Sequence, residues 1–249
     1  MASKGKNSAG KRGKKSRGSG VLPVAMLALV LVVLVGVSVF FRVSDIQVEG
    51  SSVYTPEAII AASGLEKGDN IFLLRVSEAV LAIRTGMPYV DEIKIEPTLP
   101  GTVTITVTES KPAAQMSYGA KFLIFDKNGR ILEISDAKHR DCITVSGLIA
   151  NSAAAGEKLK LGIDADNALS SLSELLCAID SLNMQSDITW IDMSELSNIS
   201  FDYKEIFTVR MGSSYNAVDK LTLLMKSAEY ETQPGRFDIS IENEAHFMP

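Results

Sequence analysis

The residues best suited to chemistry in this chain are a histidine and a cysteine three positions apart, in the stretch HRDC. His139 and Cys142, with Asp141 between them, are the residue types that a cysteine nucleophile and its base would use. Side chains three positions apart meet on a helix, but this stretch leads into the strand-like sequence CITV, where they would point to opposite faces. The pattern therefore favours a charged loop over a catalytic pair.

No other stretch carries a recognisable catalytic or ligand-binding motif. The sequence lacks a glycine-rich phosphate loop, HExxH, SxxK, GxSxG and any cluster with metal-ligand spacing. The acid pairs Asp91-Glu92 and Glu242/Glu244 fall on strands or loops, where a solvated face needs acids, although sequence alone leaves open a glycosidase with two carboxylates in a cleft. Cys142 and Cys177 lie in apolar surroundings and are predicted to be free core thiols. We therefore predict no catalytic residue, no cofactor, no metal ion and no small-molecule substrate.

The last sixteen residues, PGRFDISIENEAHFMP, carry the alternating pattern of a β-strand instead. The apolar residues Phe237, Ile239 and Ile241 would lie on one face, and polar residues on the other. Such a strand can close a sheet from within, or it can lie at the edge and offer unpaired backbone groups to another protein. The pattern alone leaves both alternatives open.

Charge is distributed very unevenly along the chain. It has 249 residues, 46% of them hydrophobic, and a net charge of −5. Residues 1–20 carry seven basic residues and no acid, whereas the remaining chain holds 18 basic and 30 acidic residues, a net charge of −12. The first twenty residues contain almost nothing apolar and are predicted to be disordered. No aromatic or motif residue accompanies their charge, so we predict no nucleic-acid binding.

An uncharged apolar segment, Val21 to Phe41, follows this basic tail. As a helix it would be about 31 Å long, which matches the hydrocarbon core of one bilayer. Its length and flanks favour a retained membrane anchor over a cleaved signal peptide, for which Gly36-Val37-Ser38 is only a weak cleavage site. Because basic residues stay in the cytoplasm, the tail is predicted to be cytoplasmic and everything after Phe41 extracytoplasmic.

The sequence beyond the apolar segment predicts a strand, two helices and two further strands. The first helix has the clearest signals, since Thr55 suits its N-cap, Pro56 its first position and Gly64 its end. Turns are predicted at Gly50 and between the last two strands. The predicted elements are a strand at Val43 to Val48, helices from Thr55 and at Ser77 to Thr85, a strand at Val90 to Glu96, a turn at Pro97 to Gly101 and the strand TVTITVTE.

From Lys111 onward the pattern predicts mostly strands, with two helices packed on them. Asn128-Gly129 is a strong turn signal inside the hairpin KFLIFDKNGRILEI. The two helices have apolar faces formed by Leu172, Leu175, Leu176, Ile179 and Leu182, and by Leu221, Leu224, Met225 and Ala228 within Asn216 to Glu229. Further strands are predicted at CITVSGL, Ile188 to Asp192, Ile199 to Tyr203, Phe207 to Met211 and Phe237 to Ile241.

The order of these landmarks resembles the FtsQ/DivIB family of bacterial cell-division proteins. The similar stretches are VSDIQVEGSSVYTPEAIIAASGLEKGDNIFLLRV, PYVDEIKIEPTLPGTVTITVTESKP, DKNGR, FTVRMG, NAVDKLTLL and FDISI. The resemblance covers Val21 to Met248 and implies an α+β fold: a single transmembrane helix, a POTRA domain of β-α-α-β-β order, and a mostly-β domain with two helices packed on its sheet. The implied ranges are a tail at 1–20, a helix at 21–41, a POTRA domain at 42–110 and a β domain at 111–249.

This resemblance also implies a function that depends on binding other proteins. It implies a divisome scaffold with one membrane span, which concentrates at the septum and binds FtsB/DivIC-like and FtsL-like coiled-coil proteins, with a septal transpeptidase as a further partner and the bilayer contacted through Val21 to Phe41. The residues implied for partner binding are Arg236, Phe237, Asp238, Ile239, Ser240 and Ile241, with Lys220 on the preceding helix as a neighbour. A proline or aspartate at Ile239 is expected to abolish partner capture and to leave the fold largely intact.

Two other functions fit the same sequence. One is a different membrane protein with a POTRA domain, such as a protein of secretion or sporulation. The other is a membrane-anchored enzyme of the cell wall, which the absence of recognisable catalytic motifs disfavours.

Overall fold

The computed structural model describes residues 21–162 and 165–249, except for the side chains at positions 21, 22, 34, 37, 38 and 165. The predicted basic tail at 1–20 lies outside the described residues. Val21–Phe40 forms helix α1, and its described side chains are exposed. Within the described part of the chain, no helix is long and apolar enough to cross a membrane. The membrane anchor at Val21 to Phe41 stays a prediction.

Beyond α1, the described residues form helices and strands in two successive groups. The helices are α2 (Pro56–Ser63), α3 (Val76–Gly86), α4 (Ala165–Ser181), α5 (Ala217–Ala228) and a short 3-10 helix at Gln185–Asp187. The strands are β1 (Asp45–Glu49), β2 (Val90–Thr98), β3 (Thr102–Glu109), β4 (Ala114–Tyr118), β5 (Lys121–Phe125), β6 (Ile131–Ser135), β7 (Ile143–Ser146), β8 (Ala150–Ser152), β9 (Lys160–Leu161), β10 (Trp190–Asp192), β11 (Ile199–Tyr203), β12 (Phe207–Gly212), β13 (Gly235–Asp238) and β14 (His246–Met248).

The first group, which we call the small unit (residues 42–110), is a three-stranded sheet with two helices. Its strand order is β1-β3-β2, with β1 parallel and β2 antiparallel to the central β3. Alternate residues of β3, namely Val103, Ile105 and Val107, are buried and pack with Ile59 of α2 and Ile83 of α3. The predicted β-α-α-β-β order is confirmed.

Local signals explain where the first helix of the small unit begins and ends. The hydroxyl of Thr55 accepts a hydrogen bond from the Ala58 N–H at 3.3 Å, which satisfies one of the unpaired donors of the first turn of α2. Gly64 ends the helix in the left-handed conformation, with φ of 67°. Gly50 also has a positive φ of 84°, and a Cβ there would overlap the carbonyl oxygen of Val107.

The second group, which we call the large unit (residues 111–249), is built on one mixed sheet. Its strand order is β14-β13-β12-β11-β10-β7-β4-β5-β6, and β8 and β9 form a separate small ribbon. Helices α4 and α5 contact each other, and their apolar faces share one hydrophobic cluster with the sheet, separate from that of the small unit. The mixed α+β character is therefore confirmed, whereas the predicted domain boundary after residue 110 stays a prediction.

Several elements of the large unit differ from the predicted ones. Strands β4, β8, β9 and β14 were not predicted from the sequence. Met225 was predicted on the apolar face of α5, but its side chain is 38% exposed. Lys220 takes a buried place on that face instead, because positions 217, 220, 221, 224 and 228 are the ones that turn toward the sheet.

In the described part of the chain, hydrogen bonds of Arg130, Tyr89 and Ser110 connect the two units, and the Ser110 hydroxyl donates to the Asp126 carboxylate at 3.0 Å. Arg130, in the turn between β5 and β6, donates from Nη1 to the Val90 carbonyl at 2.9 Å and from Nη2 to the Arg84 carbonyl at 3.1 Å. Its Nε donates to the Gly156 carbonyl at 3.2 Å. Tyr89 donates its hydroxyl to the Glu133 carboxylate at 3.1 Å. One guanidinium thus bonds backbone carbonyls of both units.

Within the small unit, the Glu109 carboxylate at the end of β3 fixes the loop between β1 and α2. It accepts hydrogen bonds from the hydroxyls of Ser51 and Ser52 at 2.8 and 2.6 Å, and from the backbone N–H groups of Ser52 and Val53 at 2.9 and 3.0 Å. Burial opposes ionisation of this carboxyl, but the hydrogen bonds outweigh it and lower the pKa of Glu109 to about 2.

Replacing Glu109 should therefore cost stability in a pH-dependent way. Since an amide cannot accept all four bonds, we expect Glu109→Gln to lower the free energy of unfolding at pH 7 by about 2 kcal/mol. The folded pKa is depressed, so this stabilisation is complete above the ordinary pKa of 4.5 and is lost as the pH falls toward 2. Urea unfolding of the full chain in detergent, measured between pH 7 and pH 2, checks this. Glu92→Gln, an exposed position on β2, is the control; a Glu109→Gln deficit that is constant with pH would contradict the prediction.

Removing the side chain of Arg130 should loosen the contact between the two units. We expect Arg130→Ala to lower the free energy of unfolding by about 2 kcal/mol, because three carbonyls lose a charged donor. It should also speed cleavage of the Ser110–Lys111 bond, which connects the units, by a protease that cuts on the amino side of lysine. The exposed Arg140→Ala is the matched control, and equal cleavage rates in the two variants would refute a role for Arg130 in joining the units.

Candidate functional site

The structure places His139 and Cys142 in the loop before β7, and it gives them different environments. His139 is exposed, whereas Cys142 is only 5% exposed. Burial, together with the nearby Asp141 and Glu133 carboxylates, raises the pKa of the Cys142 thiol to about 11, so it is protonated at neutral pH. The predicted charged loop is confirmed, and the thiol lacks the lowered pKa of a nucleophile.

A buried glutamine of the sheet holds this loop in place. Gln115 of β4 donates from Nε2 to the carbonyls of His139 and Cys142 at 2.8 and 3.2 Å, and its Oε1 accepts the His139 N–H at 2.8 Å. Beside the loop lies an open groove of about 870 Å³, which Trp190 also lines. Among the described residues, no group of three or more His, Cys, Asp or Glu side chains is arranged to hold a metal ion.

The strand predicted at Phe237 to Ile241 is shorter than expected and is not at the edge of the sheet. It ends at Asp238, and β13 is paired on both sides, with β12 in parallel and with β14 antiparallel. The alternative that this strand offers the free edge is therefore wrong, since β14 covers it. A turn at residues 241–244, with Asn243 in the left-handed conformation at φ of 62°, brings the chain back.

The predicted partner-binding residues are divided between the core and the surface. Phe237 and Ile239 are 1% and 0% exposed, while Ile241 lies in the turn and is 57% exposed. Arg236 is exposed, and Asp238 and Ser240 are half-buried. Because Ile239 is in the core, the expectation that aspartate or proline there leaves the fold intact is wrong; burying a carboxylate at this position would disrupt packing.

Asp238 has a structural role where β13 ends. Its carboxylate accepts hydrogen bonds from the Ser240 N–H at 2.9 Å and the Ser240 hydroxyl at 2.6 Å, and it pairs with Arg210 of β12 at 3.0 Å. Burial would raise the pKa of Asp238, but these hydrogen bonds and the Arg210 charge outweigh it, so the pKa is lowered. The ionised carboxylate therefore fixes the bend after β13.

Lys220 does not form the surface contact that was predicted for it. Its side chain is 5% exposed, and Nζ donates to the carbonyls of Met211 and Ser213 at 3.2 and 3.0 Å. Burial lowers the pKa of this lysine, while the Glu242 and Glu174 carboxylates act in the opposite direction. Lys220 thus ties α5 to the end of β12, and a partner could not reach it without rearrangement.

Strand β14, which was not predicted from the sequence, forms the edge of the described sheet. Its residues pair His246 with Asp238, Phe247 with Phe237 and Met248 with Arg236. The Phe247 ring packs against Phe237 and Phe207, with ring centroids 4.9 and 6.1 Å apart. The alternation in AHFM, with Phe247 half-buried between exposed His246 and Met248, is the signal that could have revealed it.

Hydrogen-bond directions along β13 show which backbone groups of β14 face outward. The N–H groups of Gly235 and Ile239 donate to β12-side carbonyls, at 3.4 and 2.8 Å, so the backbone of Phe237 also faces β12. The backbone groups of Arg236 and Asp238, which precede and follow Phe237, must then face β14. In this register Phe247 is opposite Phe237, so its N–H and C=O point away from the sheet. The described edge therefore offers one donor and one acceptor, centred on Phe247.

Comparison with known proteins identifies relatives for both units. A family model described as a POTRA domain of the FtsQ type matches residues 41–110. The cell division protein DivIB of Clostridium acetobutylicum is 27% identical over 207 residues, which cover 82% of this chain and 81% of that protein. The cell division protein FtsQ of Streptomyces venezuelae is 24% identical over 245 residues, or 96% of this chain and 88% of that protein.

A solved structure is a much more distant match. The major extracytoplasmic domain of DivIB from Geobacillus stearothermophilus aligns with a TM-score of 0.33 and 12% identity, over 49% of this chain and 92% of that domain. A likeness this low does not bear on the fold.

The sequence relatives agree with the motifs read along the chain. The FtsQ-type match falls on the residues that form β1 to β3 with α2 and α3. The alignments with DivIB and FtsQ are each longer than either unit, so they extend over both, and both relatives are named for cell division. The FtsQ-type POTRA match and the long alignments with DivIB and FtsQ therefore support the resemblance of this chain to the FtsQ/DivIB family of bacterial cell-division proteins.

Proposed function

We propose that this cell-division protein is a membrane-anchored scaffold that captures another division protein at the β14 edge of its large unit. The observation that carries this proposal is the outward N–H and C=O of Phe247, derived from the register of β13 and β14. An incoming strand can extend a sheet by bonding to such groups, which supplies affinity through the main chain. The scaffold thus acts by binding and not by turnover.

The residues around this edge give it a selective surface. Arg236 and Met248 are paired neighbours with exposed side chains, and the turn before β14 carries the exposed acids Glu242 and Glu244. Acids beside an edge discourage pairing with acidic strands and favour a partner that brings basic residues. A short, charged edge of this kind protects against indiscriminate aggregation.

The partners are division proteins of the FtsB/DivIC and FtsL types, with a septal transpeptidase in the same assembly. The resemblance to the family supports this choice, since coiled-coil proteins that cross the membrane would be held beside the same bilayer. The proposed partner-binding site is therefore the edge at Phe247, and not the interior residues Phe237 and Ile239. Arg236, Asp238 and Ser240 remain its candidate side-chain contacts, because they are not buried.

Anchoring by Val21 to Phe41 places this edge outside the cytoplasmic membrane at the septum. The absence of charge from this segment and the seven basic residues before it support that orientation. Exposed apolar side chains along α1, such as Met26 at 70% and Val32 at 69%, are stable in lipid and costly in water. Tethering in one membrane also raises the effective concentration of the partners.

The proposed edge can be tested at Phe247 itself. Phe247→Pro removes the outward N–H, whereas Phe247→Ala removes the same ring and keeps the N–H, so the pair isolates the backbone donor. We expect the proline variant to capture the FtsB/DivIC-type partner about threefold to tenfold more weakly than the alanine variant, the range for one hydrogen bond. Co-purification from membranes measures this, with urea unfolding to match the stabilities. Equal capture by the two variants would rule out strand addition at β14.

Loss of the protein should stop division and leave growth intact. We expect depletion of the chain to give filaments of undivided cells, because the septal complex lacks its scaffold. Expression of the full chain from a second copy is the control and should restore division. If depleted cells instead divide normally but fail in secretion or sporulation, the role in division is excluded.

A further inference from the structure

The end of the POTRA domain that adjoins α1 carries three large apolar side chains exposed to solvent. Phe72 and Leu73 are 58% and 76% exposed, and Leu99, in the turn between β2 and β3, is 57% exposed. We call these three residues the apolar rim. Neither of the segments that hold them, NIFLL at 70–74 and PTLPG at 97–101, contains a charged residue.

The rim lies on both sides of the chain where it leaves α1. On one side, the Ile71 N–H donates to the Phe41 carbonyl at 3.1 Å, which places Phe72 and Leu73 beside the end of the helix. On the other side, the Ser44 N–H donates to the Gly101 carbonyl at 2.7 Å, and a Cβ on Gly101 would overlap the Arg42 carbonyl. The turn that holds Leu99 is therefore pinned against the same short segment.

Aromatic rings continue from the helix onto the domain. Phe40, the last residue of α1, is 76% exposed, and its ring centroid is 5.7 Å from that of Phe41. The Phe41 ring is in turn 5.4 Å from that of Phe72. This row of rings keeps Phe72 beside the end of the helix. Amphipathic or apolar residues at that level are characteristic of the boundary between lipid and water.

The charges near the rim are compatible with a lipid surface. Arg42 is exposed at the same level, where a guanidinium can reach lipid phosphates. Lys67 and Arg75 are paired with Asp45 and Glu78 at 3.1 and 3.3 Å, so these two acids are neutralised, and Asp69, which precedes the segment 70–74, accepts the Glu66 N–H at 3.0 Å. A membrane that contains anionic lipid would therefore meet no uncompensated repulsion from these pairs.

From these contacts we propose that the apolar rim inserts into the interfacial layer of the bilayer and holds the POTRA domain down on the membrane. This inference rests on the proposed anchoring by α1, because the helix brings the rim to the surface. Burial of Phe72, Leu73 and Leu99 in the interface gives the domain a second attachment. The domain then takes a fixed tilt, and the β14 edge is presented in one orientation.

The single tryptophan of the chain, Trp190, makes a direct test simple. In a Trp190→Phe background of the full chain, we would introduce tryptophan one site at a time at Phe72, Leu73 and Leu99. The matched control is Val53→Trp, since Val53 is 52% exposed in the loop bonded to Glu109, at the far end of β3. Eight residues of strand separate the two ends by about 23 Å. Val33→Trp in α1 reports insertion of the anchor.

Fluorescence in vesicles then distinguishes the outcomes. The vesicles contain equal parts phosphatidylcholine and phosphatidylglycerol, with brominated phosphatidylcholine as the quencher. We expect tryptophan at the three rim positions to be quenched and blue-shifted, at Val33 to be quenched more strongly, and at Val53 to be unaffected. Quenching at Val33 with rim values equal to that of Val53 would overturn the rim proposal and leave the anchor intact.

Two further results are decisive in other ways. No quenching at Val33 would overturn the proposed anchoring by α1, and the rim proposal with it. The rim tryptophans could instead remain unquenched by brominated lipid and become inaccessible to iodide, a quencher in the aqueous phase, only when partner proteins are bound. That result would show that the rim is a protein interface. That result would also overturn insertion into lipid.

Discussion

The arrangement of the large unit depends on one constraint, which is that every backbone N–H and C=O group in a sheet needs a hydrogen-bond partner. Within the described sheet, two strands lie at the ends, β6 and β14. The start of β6 is covered by the segment at 156–159, since Ile131 donates to the Glu157 carbonyl and Gly156 to the Ile131 carbonyl. At β14 the Phe247 groups face outward. The two ends of one sheet therefore differ in what they offer to another protein.

Core packing holds the exposed edge in place. The rings of Phe207, Phe237 and Phe247 form one cluster beneath β12 to β14, and Ile239 is buried beside it. Asp238, paired with Arg210, fixes the bend that follows β13. A surface built in this way is rigid because its supporting side chains are in the core. Such rigidity reduces the entropy lost on binding and favours recognition by main-chain hydrogen bonds.

The same reasoning connects the membrane to the edge. Arg130 bonds carbonyls of both units, so the orientation of the POTRA domain is passed to the large unit. With α1 in the bilayer and the apolar rim against its surface, the β14 edge would keep a defined height and direction. The proposed scaffold would benefit from this geometry, because partners confined to the same membrane would meet the edge already oriented.

The sequence by itself determined the elements whose signals are local. Thr55 and Gly64 delimit α2, the turn signal Asn128-Gly129 lies in the loop between β5 and β6, and the stripe from Leu172 to Ile179 packs α4 on the sheet. The order of the landmarks also indicated the resemblance to the FtsQ/DivIB family. Each of these depends on residues within a few positions of one another, where capping, turn geometry and helical periodicity act directly.

The tertiary structure alone decided which strand became the edge. The alternation at Phe237 to Ile241 is that of any half-buried strand, and it carries no information about neighbours on either side. The fold back through Asn243 puts β14 over β13. The burial of Ile239 and the bonds of Lys220 to backbone carbonyls likewise depend on contacts between different elements. Pairing of distant strands is a non-local choice, settled by which ladder buries the most apolar surface and satisfies the most backbone groups. The residues predicted to bind a partner, Arg236 to Ile241, therefore lie next to the proposed binding edge in sequence. The edge itself is formed by the strand that follows them, β14.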